Sequence, residues 1–158
     1  MPSIGAKLRG LFGGAQDEGS GAKQGRSGSL NLSPRDFLLL VGHGMRTAIR
    51  YKRPFSVIDV ELSNADELRK SSGIDKVNQD FETLVSLVSG MLRNCDLVSA
   101  NSRHVVMALP ETQANQAGVI MFRMKKRITK ALALPVNLEC RVSQGDRGLA
   151  LIKVLEQP

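Results

Sequence analysis

The sequence predicts a mixed α/β (α+β) domain in which helices flank a mixed β-sheet. Apolar residues recur at helical spacing in several long stretches, and short runs rich in valine, leucine and isoleucine lie between them. Taken along the chain, these patterns give the order β-α-α-β-β-α-β, which is typical of a sheet with helices packed against it. Residues 30–158 are enough to bury one sizeable core, so we expect a single folded domain there.

A lead-in helix is predicted to begin after Ser33 and to end near Lys52. Ser33 is a good N-cap, Pro34 suits the first helical position, and Asp36 complements the positive end of the helix dipole. Apolar residues then repeat at helical spacing until Pro54, which disfavours a helical conformation in the residue before it.

The remaining elements follow from the same periodicities. The apolar run 55–62 predicts the first strand, and helical spacing from Ala65 to Leu92, interrupted at 71–73, predicts two helices or one broken helix. The later predicted elements are strands at 97–100 and 105–109 joined by a hairpin, a helix at 113–132, and a strand in which Leu138, Cys140 and Val142 alternate. The stretch 149–156 fits both periods and could be helix or strand.

The stretch 93–112 carries the most informative motif. Arg93 and Asp96 form an R-x-x-D pair, which precedes an apolar strand, a hairpin, a second apolar strand and the tripeptide Pro110-Glu111-Thr112. This order resembles the GGDEF (diguanylate cyclase) family, which has R-x-x-D, a strand, R-Y-G-G-[DE]-E-F at the hairpin, a strand and P-[DE]-T. The resemblance extends over roughly residues 30 to 145, including a similarity of 30–37 to the family's L-T-G-L-x-N-R-R-x-F segment.

The signature positions of the hairpin do not match the family. They fall on Asn101, Ser102, Arg103, His104 and Val105. In the family an acidic side chain here supplies a metal ligand and the glycines let the substrate approach the backbone. The resemblance therefore implies a degenerate, catalytically inactive member, not an enzyme, with no catalytic residue, bound metal or cofactor.

Two acidic residues occupy positions that bind metal or substrate in the family. Asp59 matches the first metal-ligand aspartate and Glu61 replaces the second acid, while Asp80 lies where the family has its guanine-reading aspartate. The resemblance implies that Asp59 and Asp80 are relic positions.

The R-x-x-D pair is the candidate ligand site. In the family this motif binds cyclic di-GMP, and guanidinium and carboxylate groups suit phosphate oxygens and guanine edges. The resemblance thus implies a bacterial cyclic di-GMP receptor that passes a signal to a protein partner, with Arg93 and Asp96 as the ligand-binding residues. There are two alternatives. In the first, Arg93 and Asp96 are a purely structural pair at a helix end and a turn. In the second, the domain is a ligand-independent adaptor that uses its fold as a protein-docking surface. A homodimer is compatible with either function.

Composition limits the other classes of partner. The net charge is +7, but a basic cluster at 123–130 alternates with apolar residues as on the solvated face of a helix, and aromatic residues are few, so nucleic-acid binding is not expected. Cys95 and Cys140 have no motif spacing, which favours a reducing cytoplasm. No apolar run is long enough for a membrane span.

Residues 1–29 form a separate region in the sequence. Gly13 to Ser29 is rich in glycine, serine and charge, which predicts a flexible basic leader. In residues 1–12 apolar and basic side chains interleave, so this segment is either a short amphipathic anchor for a membrane surface or partner, or a frayed terminus.

Overall fold

The computed structural model describes residues 30–157, which form five strands, five α-helices and a 3-10 helix. The strands are β1 Leu30–Asn31, β2 Phe55–Leu62, β3 Leu97–Ala100, β4 His104–Pro110 and β5 Leu138–Gln144. The helices are α1 Pro34–Arg50, α2 Ala65–Ser72, α3 Ile74–Met91, α4 Ala114–Ala131 and α5 Gly145–Leu151, and the 3-10 helix is Ile152–Glu156. The predictions for residues 1–29, including an anchor in residues 1–12, lie outside the described residues.

The five strands form one mixed sheet in the order β1-β3-β4-β2-β5. Strands β2, β3, β4 and β5 pair antiparallel, and β1 pairs parallel with β3. The predicted fold class is therefore confirmed. The sequence did not predict β1. It left open whether residues 149–156 form a helix or a strand, and the structure shows that they are helical.

Helices cover both faces of the sheet and enclose two apolar cores. On one face Ile58 and Val60 of β2 pack with side chains of α2, α3 and α4. On the other face Phe55 and Val57 pack with α1, α5 and the 3-10 helix. Successive side chains of a strand point to opposite faces, so β2 contributes to both cores and is buried along almost its whole length.

Local signals in the sequence explain where the first helices begin and end. The backbone N–H of Asp36 donates to Ser33 Oγ, so Ser33 is the N-cap of α1. Gly73 separates α2 from α3 with a φ of 89°, a left-handed conformation that favours glycine, and this explains the interruption in the helical pattern.

Within residues 30–157 no helix is both long and apolar enough to cross a membrane.

Candidate functional site

The R-x-x-D pair lies in the turn between α3 and β3. The Asp96 carboxylate accepts hydrogen bonds from the backbone N–H of Arg93 at 2.8 Å, from Arg93 Nε at 3.3 Å and from Arg93 Nη2 at 3.0 Å. Its side chain is only 2% exposed, because the turn wraps around it. The aspartate therefore fixes both the backbone of the turn and the direction of the arginine side chain.

The guanidinium of Arg93 is held from a second side as well. Its Nη2 donates to Thr112 Oγ1 at 2.9 Å and to the Pro110 carbonyl at 3.3 Å, both at the end of β4. Nevertheless 55% of the side chain remains exposed, and its Nη1 has no hydrogen bond among the described residues. The hydrogen bond to Asp96 raises the pKa of Arg93 above its ordinary value, so the group is a permanent cation. The result is an exposed Nη1 donor group in a fixed orientation.

The hairpin that carries the altered signature is a tight, polar turn. Asn101, Ser102 and Arg103 form the turn, whereas His104 and Val105 belong to β4. Asn101 Oδ1 accepts the backbone N–H groups of Arg103 and His104, and its Nδ2 donates to the carbonyls of Val154 and Gln157. Asn101 therefore fastens the hairpin to the C-terminal segment.

Helix α2 holds the other side of the hairpin. Arg69 Nη2 donates to the Ser102 carbonyl at 2.9 Å, and Arg103 Nη2 donates to Asp66 at 2.8 Å. Arg69 also contacts Asp66 at 3.1 Å, so two arginines share this carboxylate. The side chains of Asn101 and Arg103 are thus engaged in contacts within the protein.

Asp59 lies in a buried ionic cluster next to the hairpin. Its side chain is 0% exposed, and its Oδ1 lies 3.0 Å from His104 Nδ1. Its Oδ2 accepts from Arg141 Nε at 3.1 Å and from Arg141 Nη2 at 2.5 Å. Arg141 Nη2 also lies 3.5 Å from Glu61 Oε2. A buried carboxylate needs such a charged partner, and β5 supplies it directly across the sheet.

The surroundings of Asp59 do not fit a divalent metal ion. Both carboxylate oxygens already face nitrogen donors, and within residues 30–157 no group of three or more His, Cys, Asp or Glu side chains is arranged to hold a metal. Asp80 is elsewhere, on α3. It accepts the backbone N–H groups of Ala133 at 3.4 Å and Leu134 at 2.9 Å and thereby fixes the loop after α4.

The structure groups the predicted site residues into separate places. Arg93 and Asp96 lie together, Asp59 lies with His104, and Asp80 stands apart. Two residues of these sites were not predicted from the sequence as site residues: Thr112, which orients Arg93, and Arg141, which pairs with Asp59. The alternation in β5 was the available signal for Arg141, since it places this arginine on the face opposite to Cys140.

Solved structures that are similar to this fold include GGDEF domains. The active GGEEF domain of a Vibrio cholerae diguanylate cyclase is 16% identical with a TM-score of 0.62, covering 68% of this chain and 72% of that chain. The GGDEF domain of DgcB from Caulobacter crescentus, in complex with c-di-GMP, is 8% identical with a TM-score of 0.67, covering 78% and 80%. No protein-family model and no curated protein matches the sequence.

A third structure contains a protein partner. Diguanylate cyclase SiaD from Pseudomonas aeruginosa, in complex with its activator SiaC, is 16% identical with a TM-score of 0.64. The match covers 77% of this chain but only 55% of the SiaD chain. At such identities the likeness shows the fold, which is GGDEF-like as the sequence indicated.

The expectation that this chain is not an enzyme was wrong as an inference from the sequence. Solved structures that share its fold include diguanylate cyclases, one of them described as an active domain, so a chain of this fold cannot be set apart from enzymes. The five mismatched signature positions, Asn101 to Val105, are therefore not sufficient grounds for calling the chain inactive.

Proposed function

We propose that this domain binds cyclic di-GMP at the surface around Arg93 and passes the signal to a protein partner. The observation that carries the proposal is the exposed Arg93 guanidinium, which Asp96 and Thr112 hold in one orientation. A donor group that is already ordered loses little conformational entropy when a ligand binds. Cyclic di-GMP offers phosphate oxygens and guanine edges, which can accept charge-assisted hydrogen bonds from the Nη1 group that remains exposed. The DgcB domain, which has the same fold, was captured with c-di-GMP.

The two residues of the motif have different roles in this proposal. Arg93 contacts the ligand through its exposed edge, whereas Asp96 is a positioning residue, since its side chain is 2% exposed and accepts three hydrogen bonds from Arg93. A ligand that engaged Asp96 directly would have to open the turn. The proposal therefore needs only the guanidinium at the surface.

Exposed leucines on α1 support a protein partner. Leu39 is 66% exposed and Leu40 is 53% exposed, although α1 buries Phe37, Val41 and Met45 on its inner side. Burying two such exposed leucines against another protein would remove apolar surface from water, which favours association. The same observation supports the second candidate function, a ligand-independent adaptor that binds its partner through α1.

Calorimetric titration of the full chain with cyclic di-GMP tests the receptor. We expect saturable binding by the wild type and loss of binding in Arg93→Ala, with an intermediate effect in Arg93→Lys, which retains the charge but not the planar fork. Arg103→Ala is the control, because Arg103 also forms an ion pair but lies just before β4, at the end of the strand opposite to Pro110. Circular dichroism confirms that each variant is folded.

The outcomes separate the two functions. Binding that Arg93→Ala removes and Arg103→Ala retains supports the receptor. Absence of heat at high ligand concentration, or equal binding by Arg93→Ala, refutes it. The adaptor then requires that a Leu39→Ser, Leu40→Ser variant lose a partner captured without ligand.

A further inference from the structure

Helix α4 presents a strongly basic outer face that the function proposed above does not use. It carries five exposed cations, and its sequence contains no acidic residue. None of these cations forms an ion pair with a carboxylate in the part of the chain that the structure describes. The five cations are Arg123, Lys125, Lys126, Arg127 and Lys130. They contribute most of the net charge of +7 and concentrate it on one helix.

Large apolar side chains protrude from the same face. Val119 is 53% exposed and Phe122 is 70% exposed, and they are one helical turn apart. Lys126 lies a turn beyond Phe122 and lines grooves on both sides of the ridge. The opposite side of α4 is buried against the sheet through Ala117, Met124 and Ile128. An apolar ridge bordered by cations thus faces outward from a helix that the fold holds in place.

We propose that this face of α4 binds an anionic phospholipid surface. Lysine and arginine near such a surface are attracted to its headgroups, and an exposed phenylalanine can enter the interfacial layer between them. A second copy of this chain would present the same five cations and be repelled. Phe122 is the single aromatic residue of α4, which is too few for stacking along a nucleic acid.

Cosedimentation with vesicles measures how much the cations of α4 contribute to membrane binding. The full chain is mixed with vesicles of phosphatidylcholine alone or with added phosphatidylglycerol, and we expect binding only to the anionic mixture. Neutralising Lys126→Gln and Lys130→Gln together should weaken binding about 30-fold, since each cation near the surface is worth about 1 kcal/mol. The matched control is Arg147→Gln with Lys153→Gln, which removes the same charge from exposed positions of α5 and the 3-10 helix, on the other face of the sheet.

A fluorescence measurement tests the ridge itself. The chain contains no tryptophan, so Phe122→Trp introduces a single reporter at a position that is 70% exposed. We expect its emission to shift to shorter wavelength with anionic vesicles, because the indole enters a less polar layer. Tyr51→Trp, at a position 63% exposed at the end of α1, should not shift.

Several results would overturn the proposal. They are the absence of binding to anionic vesicles, an equal loss in the Arg147 and Lys153 control, or an unshifted emission spectrum of the Phe122→Trp variant. Retention of binding in the Lys126 and Lys130 variant would assign it to another segment, such as residues 1–12. Duplex DNA or polyglutamate that binds more tightly than vesicles at equal charge would assign the face to a nucleic acid or an acidic protein instead.

Discussion

Removing Arg141 should destabilise the domain through the carboxylate that it leaves behind. In Arg141→Met the buried Asp59 loses the Arg141 nitrogens at 3.1 and 2.5 Å and keeps only His104 Nδ1 at 3.0 Å. Breaking one partner of a buried ion pair costs about 3–5 kcal/mol. Arg141 is 47% exposed, so water can reach part of the vacated space, and we expect the lower end, about 3 kcal/mol.

A double variant distinguishes buried charge from lost packing. In Asp59→Asn with Arg141→Met the side chain on β2 keeps nearly the same volume but carries no charge, so we expect a loss of only about 1–2 kcal/mol relative to the wild type. The measurement is urea unfolding monitored by far-UV circular dichroism. The urea concentrations at the midpoint are compared for variants that have the same m-value.

The control is an arginine whose ion pair is exposed. Arg53→Met removes a contact with Glu111 at 3.5 Å in which both side chains are more than half exposed, and we expect a change within about 0.5 kcal/mol. The reasoning is refuted if Arg141→Met costs no more than this control, or if the double variant is no more stable than Arg141→Met.

Two further predictions concern packing and thiol chemistry. A Cβ at Gly148 would overlap the flexible end of the Met45 side chain, which must turn away, whereas a Cβ at Gly118 meets nothing, so Gly148→Ala should be less stable than Gly118→Ala by about 1 kcal/mol in the same assay. Burial raises the pKa of the Cys140 thiol, so in a Cys95→Ser variant iodoacetamide should react more slowly at pH 8 than after denaturation, because less thiolate is present below the raised pKa. Equal rates in folded and denatured protein would contradict this prediction.

The elements that were predicted correctly have local causes. The N-cap Ser33 and the first-position Pro34 specify the start of α1 within a few residues. By contrast, β1 has only two residues and forms by pairing Leu30 with Leu97, a contact between distant parts of the chain that leaves no periodicity. The apolar residues of 149–156 fitted both the helical and the strand period. This stretch is helical, and Leu151, Ile152 and Leu155 cover the core beneath α1.

The same distinction holds for the polar clusters. Arg93 and Asp96 are three residues apart, so their contact follows from the motif once a turn is assumed. Arg141 and Asp59 are 82 residues apart and meet only because β5 pairs with β2 in a register that places them opposite each other. A slip of one residue would turn Arg141 to the other face and leave the buried carboxylate without this partner. The partner of Asp59 is therefore a property of strand register, which the sequence of either strand alone does not specify.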